Sequence, residues 1–246
     1  MTGCLNVLLK NSRKSAVFSA LALTASLYSP QLHAQGGGDL QARVGELKES
    51  MARNKEALSQ YTWEETVRII VKGDEKKVEH FEVRQGPDGK PVKTPLDPQE
   101  AQQAPQGGRL RQRIVAKKKE EFKEYADQMK ELTQHYIPPD KDAISDAYAK
   151  GNIAIIPGGA IPGLIKIVIH NYYKPADTVT LNFNKGQKQL TSISVASWMD
   201  DPKDAMNLNV SFDRLPDGTN HVSNVSVEGV SKQLTVRTAN SDYRKM

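Results

Sequence analysis

The pattern of apolar positions begins as a helix. Asp39 follows three glycines and can accept hydrogen bonds from the free amides of a first helical turn. Apolar side chains then recur at helical spacing: Leu40, Val44, Leu47, Met51 and Leu58. The pattern predicts an amphipathic helix of about 20 residues, with one face buried.

The period of the pattern changes at residue 61. Apolar residues now occupy alternate positions, as in a strand with one buried face: Tyr61, Trp63, Val67, Ile69 and Val71. Gly73-Asp74 can form a tight turn, and residues 78–85 can return antiparallel to the first strand. This segment predicts a β-hairpin.

Residues 90–108 contain four prolines and several glutamines, which predicts an extended or mobile linker. Residues 109–136 regain a helical stripe, and Pro138-Pro139 stops it. A shorter helix is predicted over 140–150, closed by Gly151.

The remaining third of the chain alternates short apolar runs with turn residues, which is typical of an antiparallel meander. Strands are predicted at 152–156, 164–173, 178–183, 190–198, 208–212, 221–227 and 233–237. The expected fold class is therefore α+β, with helices on one side of an antiparallel sheet.

The first 34 residues have the pattern of a secretory signal peptide. A basic cluster precedes an apolar run of about 13 residues, too short to span a bilayer, and Leu32-His33-Ala34 predicts cleavage after Ala34. Residues 35–246 then form a single exported domain, periplasmic or secreted, without a transmembrane segment. Cys4, the only cysteine, lies in the leader, so the mature chain is expected to have neither disulfides nor thiolate chemistry.

The net charge of +5 comes mostly from this leader. The leader holds three basic and no acidic residues, which leaves 31 basic against 29 acidic side chains in the mature chain. A nearly neutral exported protein is not expected to bind nucleic acid.

No catalytic, metal or cofactor motif is present in the sequence. The four histidines after the leader fall on four predicted elements without zinc-ligand spacing: His80, His135, His170 and His221. The chain also lacks a nucleophile elbow, a phosphate-binding loop and a dinucleotide fingerprint. We therefore expect a non-enzymatic protein with no catalytic residue, no metal and no cofactor.

Two groups of residues are candidates for binding. A run of basic residues opens the second long helix, where positive charge opposes the helix dipole: Arg109, Arg111, Arg113, Lys117 and Lys118, followed by Lys119. This run is either a solvated helix start or a docking surface for anionic lipid headgroups or an acidic partner.

The second group is apolar and mostly aromatic. It consists of Trp63, Phe81, Ile161, Tyr172 and Trp198, with Ile161 in a Pro/Gly-rich loop and the others in or beside strands. These residues either fill a core or line a cavity inside a strongly curved sheet, where an acyl chain could bind.

The order of elements resembles the periplasmic lipoprotein carrier superfamily of the LolA/LolB type. The shared features are the leader, the first helix, the Tyr61-Thr62-Trp63 strand, the interposed helices and the terminal meander. The stretches Pro87-Asp88-Gly89-Lys90 and Leu215-Pro216-Asp217-Gly218 also look like exported bacterial proteins of acidobacterial type that have no assigned activity. The resemblance implies an incomplete, strongly curved antiparallel barrel covered by helices, with lipid in its apolar interior.

Three functions are consistent with these observations. The leading interpretation is a binder of a lipid or other apolar ligand, with a lipid or a lipoprotein as its partner. The alternative is a periplasmic interaction or structural module with a filled core that docks to an envelope protein. A hydrolase with an unrecognised site is the third, and it would need a buried histidine beside a serine and a carboxylate.

Overall fold

The computed structural model describes residues 37–86, 90–97, 109–159 and 161–246. The predicted signal peptide and its cleavage site lie outside these residues. The helices are α1 (Gly37–Leu58), α2 (Arg109–Gln134) and α3 (Lys141–Ala149). The strands are β1 (Tyr61–Val71), β2 (Asp74–Gln85), β3 (Pro91–Pro95), β4 (Ile153–Pro157), β5 (Leu164–His170), β6 (Thr178–Asn184), β7 (Gln189–Trp198), β8 (Ala205–Arg214), β9 (Asn220–Gly229) and β10 (Leu234–Lys245).

All ten strands form one antiparallel sheet in the order β3-β2-β1-β10-β9-β8-β7-β6-β5-β4. Two meanders, β1–β3 and β4–β10, join where the first strand pairs with the last. The sheet is open, because β3 and β4 are its two edges. This arrangement confirms the predicted α+β class with an unclosed antiparallel sheet.

Strand boundaries are where the sequence-based prediction was least accurate. β10 extends to Lys245 instead of ending near residue 237, because its polar second half pairs along β1 from Glu64 to Tyr61. Within the predicted extended or mobile linker, Pro91–Pro95 pairs with β2 as the edge strand β3, which the sequence did not predict, and residues 98–108 lie outside the described residues. Proline is tolerated on an edge strand, because such a strand pairs on one side only and the missing N–H can lie on the unpaired side.

Four register shifts interrupt the ladders, including one between Thr62 and Glu64 and one between Ser211 and Phe212. Such bulges bend a strand and increase the local twist, so the sheet curves. Because directly opposite residues share a face, the register also aligns the apolar positions of all the strands on one side, which we call the inner face.

The core lies between the inner face and helices α2 and α3. Tyr125, Met129, Leu132 and Tyr136 fall three or four residues apart, so one stripe of α2 and the turn after it is buried against β5–β9. Gly229 is required at this contact, because a Cβ atom there would collide with the ring of Tyr125. The other helix, α3, starts at Asp140, whose carboxylate accepts from the amides of Asp142 and Ala143 at 2.6 and 3.2 Å.

One buried carboxylate connects α2 to the β5–β6 turn. Asp177 is only 1% exposed and accepts hydrogen bonds from the backbone amides of Tyr172, Tyr173 and Lys174 at 2.6, 3.0 and 2.7 Å. The hydroxyl of Tyr136 donates to the same carboxylate at 2.7 Å and lies 2.7 Å from Ser197 Oγ. Burial raises the pKa of Tyr136, so this hydroxyl stays protonated and able to donate.

We expect Tyr136→Phe to lower the free energy of unfolding by about 1–3 kcal/mol, because it removes a hydrogen bond to a buried charge. Urea unfolding measures the change. Tyr173→Phe is the matched control, because the Tyr173 side chain is 48% exposed and its hydroxyl contacts only His135. Equal losses in the two variants would contradict the structural role of the buried carboxylate.

Helix α1 is attached to the opposite end of the sheet through Asn54. Its side-chain amide donates to the carbonyl of Asn220 and accepts from the amide of the same residue, both at 2.6 Å. Asn220 is buried at the start of β9. The two hydrogen bonds act like an additional rung of the β-ladder and hold the helix against the β8–β9 turn.

Replacing Asn54 by alanine is expected to destabilise the protein by about 1–3 kcal/mol, because the buried Asn220 backbone loses both partners. The neighbouring Arg53→Ala should change stability by less than about 0.5 kcal/mol, since its side chain is exposed and forms only an i,i+4 ion pair. Thermal unfolding compares the two. If Asn54→Ala has the same melting temperature as the wild type, other contacts hold α1 in place.

Candidate functional site

The inner face is buried in one half of the sheet and partly open in the other. Over β5–β8 its apolar side chains, apart from the partly exposed Phe212, are less than 9% exposed: Ile165, Ile167, Ile169, Val179, Leu181, Phe183, Ile193, Val195, Met206, Leu208 and Val210. Over β9, β10, β1 and β2 burial is mixed. Five inner-face residues are buried: Tyr61, Trp63, Val83, Val227 and Leu234. Six others keep partial exposure: Val67, Ile69, Val71, Phe81, Val225 and Val236. We call these six residues the open apolar patch.

A charged rim limits the patch on β2. Lys77 lies opposite Ile69, and Glu79 lies opposite Val67, so both share the inner face. Lys77 Nζ and Glu79 Oε1 form an ion pair at 2.7 Å. These two charged residues therefore end the apolar surface along most of β2. At Phe81 the apolar surface extends onto β2.

Polar groups lie at one end of the patch. Glu65 occupies an inward position of β1 and is 7% exposed, and Lys93 of β3 forms an ion pair with its carboxylate. Asn240 of β10 is directly opposite Glu65. A buried carboxylate on an otherwise apolar face is costly unless it is paired, and Lys93 supplies the compensating charge.

Aromatic rings pack beside these polar groups. Trp63 stacks on Tyr243 with ring centroids 5.5 Å apart, and His221 lies 4.1 Å from the same tyrosine ring. Asp242 adopts a positive φ of 52°, and the bulge there places two residues of β10 opposite Trp63. The bulge turns Tyr243 to the inner face while Arg244 stays on the outer face with Glu64.

Two polar atoms in this group are buried without a hydrogen-bond partner among the described residues: Trp63 Nε1 and Asn240 Oδ1. Asn240 Nδ2 donates to the Val222 carbonyl at 3.0 Å, which fixes the orientation of the amide. Tyr243 donates to the same carbonyl at 3.1 Å, and burial together with the nearby Glu65 charge raises its pKa. The end of the patch thus offers one unused donor and one unused acceptor.

The structure brings together only two of the five residues predicted to line a cavity. Trp63 and Phe81 share the inner face of adjacent strands. Tyr172 instead packs on Tyr136 beside α3, and Ile161 is 60% exposed in its loop. For Trp198 the prediction fails by one residue of register: Ser197 faces inward, so Trp198 faces outward.

On that outer face the Trp198 ring lies under a lysine. Lys174 Nζ is 4.3 Å from the ring centroid, and the indole N–H donates to the Pro175 carbonyl at 3.1 Å. These contacts give Trp198 a structural role in the β5–β6 turn. It cannot reach the open apolar patch across the sheet.

The predicted basic docking residues lie on the first turns of α2. Arg113, Lys117 and Lys118 are exposed, and the side chains of Arg109 and Arg111 fall outside the described part of the structure. Every side chain from 112 to 121 is exposed, including Ile114 at 51% and Val115 at 46%. Over residues 112–121, the described side chains of this half of the helix, none is buried.

The histidines remain on separate elements, as the sequence indicated. Within the described residues, their side chains contact Thr66, Tyr173, Thr178 and the Val222 carbonyl, and none contacts both a serine and a carboxylate. No group of three or more potential metal ligands occurs in the described residues. The helices in the described ranges are all too short or too polar to cross a bilayer.

Sequence reasoning missed the polar end of the patch, although β1 contains a signal. Its inward positions read Tyr61, Trp63, Glu65, Val67 and Ile69, so a charged residue interrupts an apolar alternation. Such an interruption marks either an error of register or a buried charge with a partner. The partners Lys93, Asn240 and Tyr243 come from other strands, so the sequence around Glu65 does not reveal them.

No protein-family model matches the chain, and no curated protein matches it. Three solved structures are similar in arrangement. A DUF1329 family protein from Desulfovibrio piger is 10% identical, with 83% of this chain and 92% of that chain covered and a TM-score of 0.43. The domain of an outer membrane lipoprotein-sorting protein from Vibrio parahaemolyticus is 7% identical, with coverages of 84% and 93% and a TM-score of 0.44.

The third is a LolA superfamily protein from Nitrosomonas europaea, 8% identical, with coverages of 81% and 93% and a TM-score of 0.37. The descriptions of the last two structures name lipoprotein sorting and the LolA superfamily. At these identities the similarity concerns the fold alone.

Proposed function

We propose that the protein is an exported, non-enzymatic lipid-binding protein that holds an acyl chain on the open apolar patch. The observation that carries this proposal is the unequal burial of one continuous face. Helices α2 and α3 bury almost all inner-face apolar side chains of β5–β8 below 9% exposure, whereas the six residues of the open apolar patch stay partly exposed beside buried neighbours such as Val83 and Leu234. When a ligand covers apolar surface, the complex is stabilised by about 25 cal/mol for each Å² removed from water.

The dimensions of the patch suit one acyl chain. Val67 and Val71 are four residues apart on β1, which is about 13 Å at 3.3 Å per residue. One acyl chain extends about 15 Å, half the thickness of the hydrocarbon core of a bilayer. A single chain lying along β1 would therefore match the length of the patch in the strand direction.

Export and a carrier role are supported by independent features. The leader pattern in residues 1–34 supports periplasmic or secreted placement. The lipoprotein-sorting and LolA superfamily descriptions of two structural neighbours suggest the class of cargo, a lipid or a lipoprotein. No set of catalytic groups in the described residues suggests a reaction instead.

We expect Val67→Gln to abolish or strongly reduce lipid that copurifies with the protein, because it places an amide in the centre of the patch. Thr66→Gln is the matched control, since Thr66 lies on the outer face of the same strand, where its hydroxyl contacts His80. Native mass spectrometry of protein purified without detergent measures bound lipid, and thermal unfolding checks that both variants fold.

A wild-type protein that carries no lipid and binds none added, such as palmitate, would contradict the proposal. Equal lipid occupancy in both variants would place the ligand elsewhere. The first of these results would favour the alternative, an interaction module with a filled core.

A second proposal concerns the first half of α2, which we infer docks on an anionic membrane surface. Ile114 precedes Tyr125 by three helical turns, so it continues the same stripe beyond the part that the sheet buries. Arg113, Lys117, Lys118 and Lys119 surround this exposed apolar tip. Apolar side chains among cations are typical of helices that lie at the headgroup boundary.

Reversing two charges in Arg113→Glu/Lys117→Glu should weaken binding to vesicles that contain phosphatidylglycerol at least about tenfold, since each cation near the surface contributes about 1 kcal/mol. Lys150→Glu/Lys232→Glu, two exposed lysines elsewhere, should bind like the wild type. Cosedimentation at low and high salt measures the effect. Wild-type protein that does not sediment with anionic vesicles would contradict membrane docking and favour an acidic envelope protein as the partner.

A further inference from the structure

The polar groups at the end of the open apolar patch lie in two adjacent rows of the sheet. Asn240, Glu65 and Phe81 form one row, because they are opposite one another on β10, β1 and β2. Trp63 begins the next row, which continues through Val83 to Lys93 on β3. Neighbouring positions within a row are about 5 Å apart, and the two rows are about 7 Å apart.

These groups separate into acceptors and donors. Glu65 and Asn240 Oδ1 are acceptors side by side, and the Asn240 oxygen is unused. Trp63 Nε1 and the Lys93 ammonium are donors, and the indole N–H is unused. Trp63 is 92% buried, as its exposed fraction is 8%, so its N–H has lost water without gaining a protein acceptor.

An unpaired buried donor or acceptor costs about 1–3 kcal/mol, which a ligand group of the opposite polarity would recover. Asn240 Oδ1 and Glu65 would accept from a cationic group. Trp63 Nε1 and Lys93 would donate to an anionic oxygen. The arrangement is therefore complementary to a group that carries both charges close together.

We propose that this cluster binds the zwitterionic headgroup of a phosphoethanolamine lipid. The ammonium lies between Glu65 and Asn240, and a phosphate oxygen accepts from Trp63 Nε1 and Lys93. Lys93 now pairs with Glu65 and lies 5.8 Å from the centroid of the Phe81 ring, and its side chain, 43% exposed against 9% for Glu65, would turn from the carboxylate to the phosphate. The ligand then replaces one charge-assisted hydrogen bond by several.

This inference rests on the proposed function, because it needs the acyl chain on the open apolar patch. Glu65 and Val71 are six residues apart on β1, about 20 Å at 3.3 Å per residue. A chain of about 15 Å that starts from a headgroup at Glu65 thus ends near Val71. The headgroup and the acyl chain of one lipid thus match the polar cluster around Glu65 and the open apolar patch on the same face.

The headgroup also explains which lipids should bind less well. A lipid with a phosphate but no ammonium would supply no cationic donor to Glu65, at most a neutral hydroxyl, and would place an uncompensated anionic group near this buried carboxylate. A fatty acid would likewise leave the acceptors unpaired. The preference should therefore depend on the charge of Glu65.

The test compares two palmitoyl lysolipids, lysophosphatidylethanolamine and lysophosphatidylglycerol, by calorimetry on the purified full chain. The wild type should bind the ethanolamine lipid at least about tenfold more tightly, as expected for one hydrogen bond to a charged group. Glu65→Gln should abolish this preference and leave the affinity for the glycerol lipid unchanged or higher. Glu64→Gln is the matched control, because Glu64 faces outward and pairs with Arg244.

A second variant does not depend on changing a buried group. Lys93→Met, on the exposed edge strand β3, should weaken lysophosphatidylethanolamine binding about tenfold and leave hexadecanol binding unchanged. Lys76→Met, an exposed lysine of β2, should bind both like the wild type. The chain has two tryptophans, so in Trp198→Phe the emission of Trp63 should change when the ethanolamine lipid binds.

Equal wild-type affinity for the two lysolipids, or a preference that survives Glu65→Gln, would overturn the headgroup site while leaving acyl binding intact. Bound ethanolamine lipid with unchanged Trp63 emission would place the headgroup elsewhere and would also overturn it. Binding of neither lysolipid by the wild type would contradict the proposed function and the headgroup site together.

Discussion

The architecture depends on the antiparallel pairing of the first strand with the last. β1 and β10 pair from Tyr61 with Lys245 to Val71 with Leu234, and this ladder joins two meanders into one sheet. Without it, β1–β3 would be a small sheet whose single apolar face had no neighbour to pack beside. The same ladder places Glu65 opposite Asn240 and Trp63 beside Tyr243, so the candidate site exists only because the two ends of the domain meet.

Two buried carboxylates on this chain illustrate different uses of a charge inside a protein. Asp177 accepts from three backbone amides and one tyrosine hydroxyl, so it is saturated and holds a turn against α2. Glu65 has one exposed lysine as its partner and lies beside a donor and an acceptor that are unpaired among the described residues. Saturated networks rigidify a fold, whereas an incompletely paired cluster on an exposed apolar face suggests ligand recognition.

The elements with a strong hydrophobic periodicity were predicted correctly, because the periodicity reflects which side chains are buried. The stripe Tyr125, Met129, Leu132 and Tyr136 is buried as its spacing indicates, and Asp140 caps α3. Prediction failed where long-range pairing decides the structure. The polar end of β10 becomes a strand because β1 pairs with it, and Pro91–Pro95 becomes one because an edge strand tolerates proline. Trp198 points outward because strand register, which short turns leave ambiguous by one residue, decides the face.

The sequence by itself determined the α+β class, the three helices, the hairpin and the meander, because hydrophobic period and turn residues act within a few positions of the chain. It also supplied Trp63, Phe81 and the basic start of α2 as candidates. Only the tertiary structure decided which of them share a site. The order of strands and the bulge at Asp242 bring residues 63, 65, 93, 240 and 243 together, and the open apolar patch stays partly exposed. These are contacts between residues far apart in sequence, which no local pattern encodes.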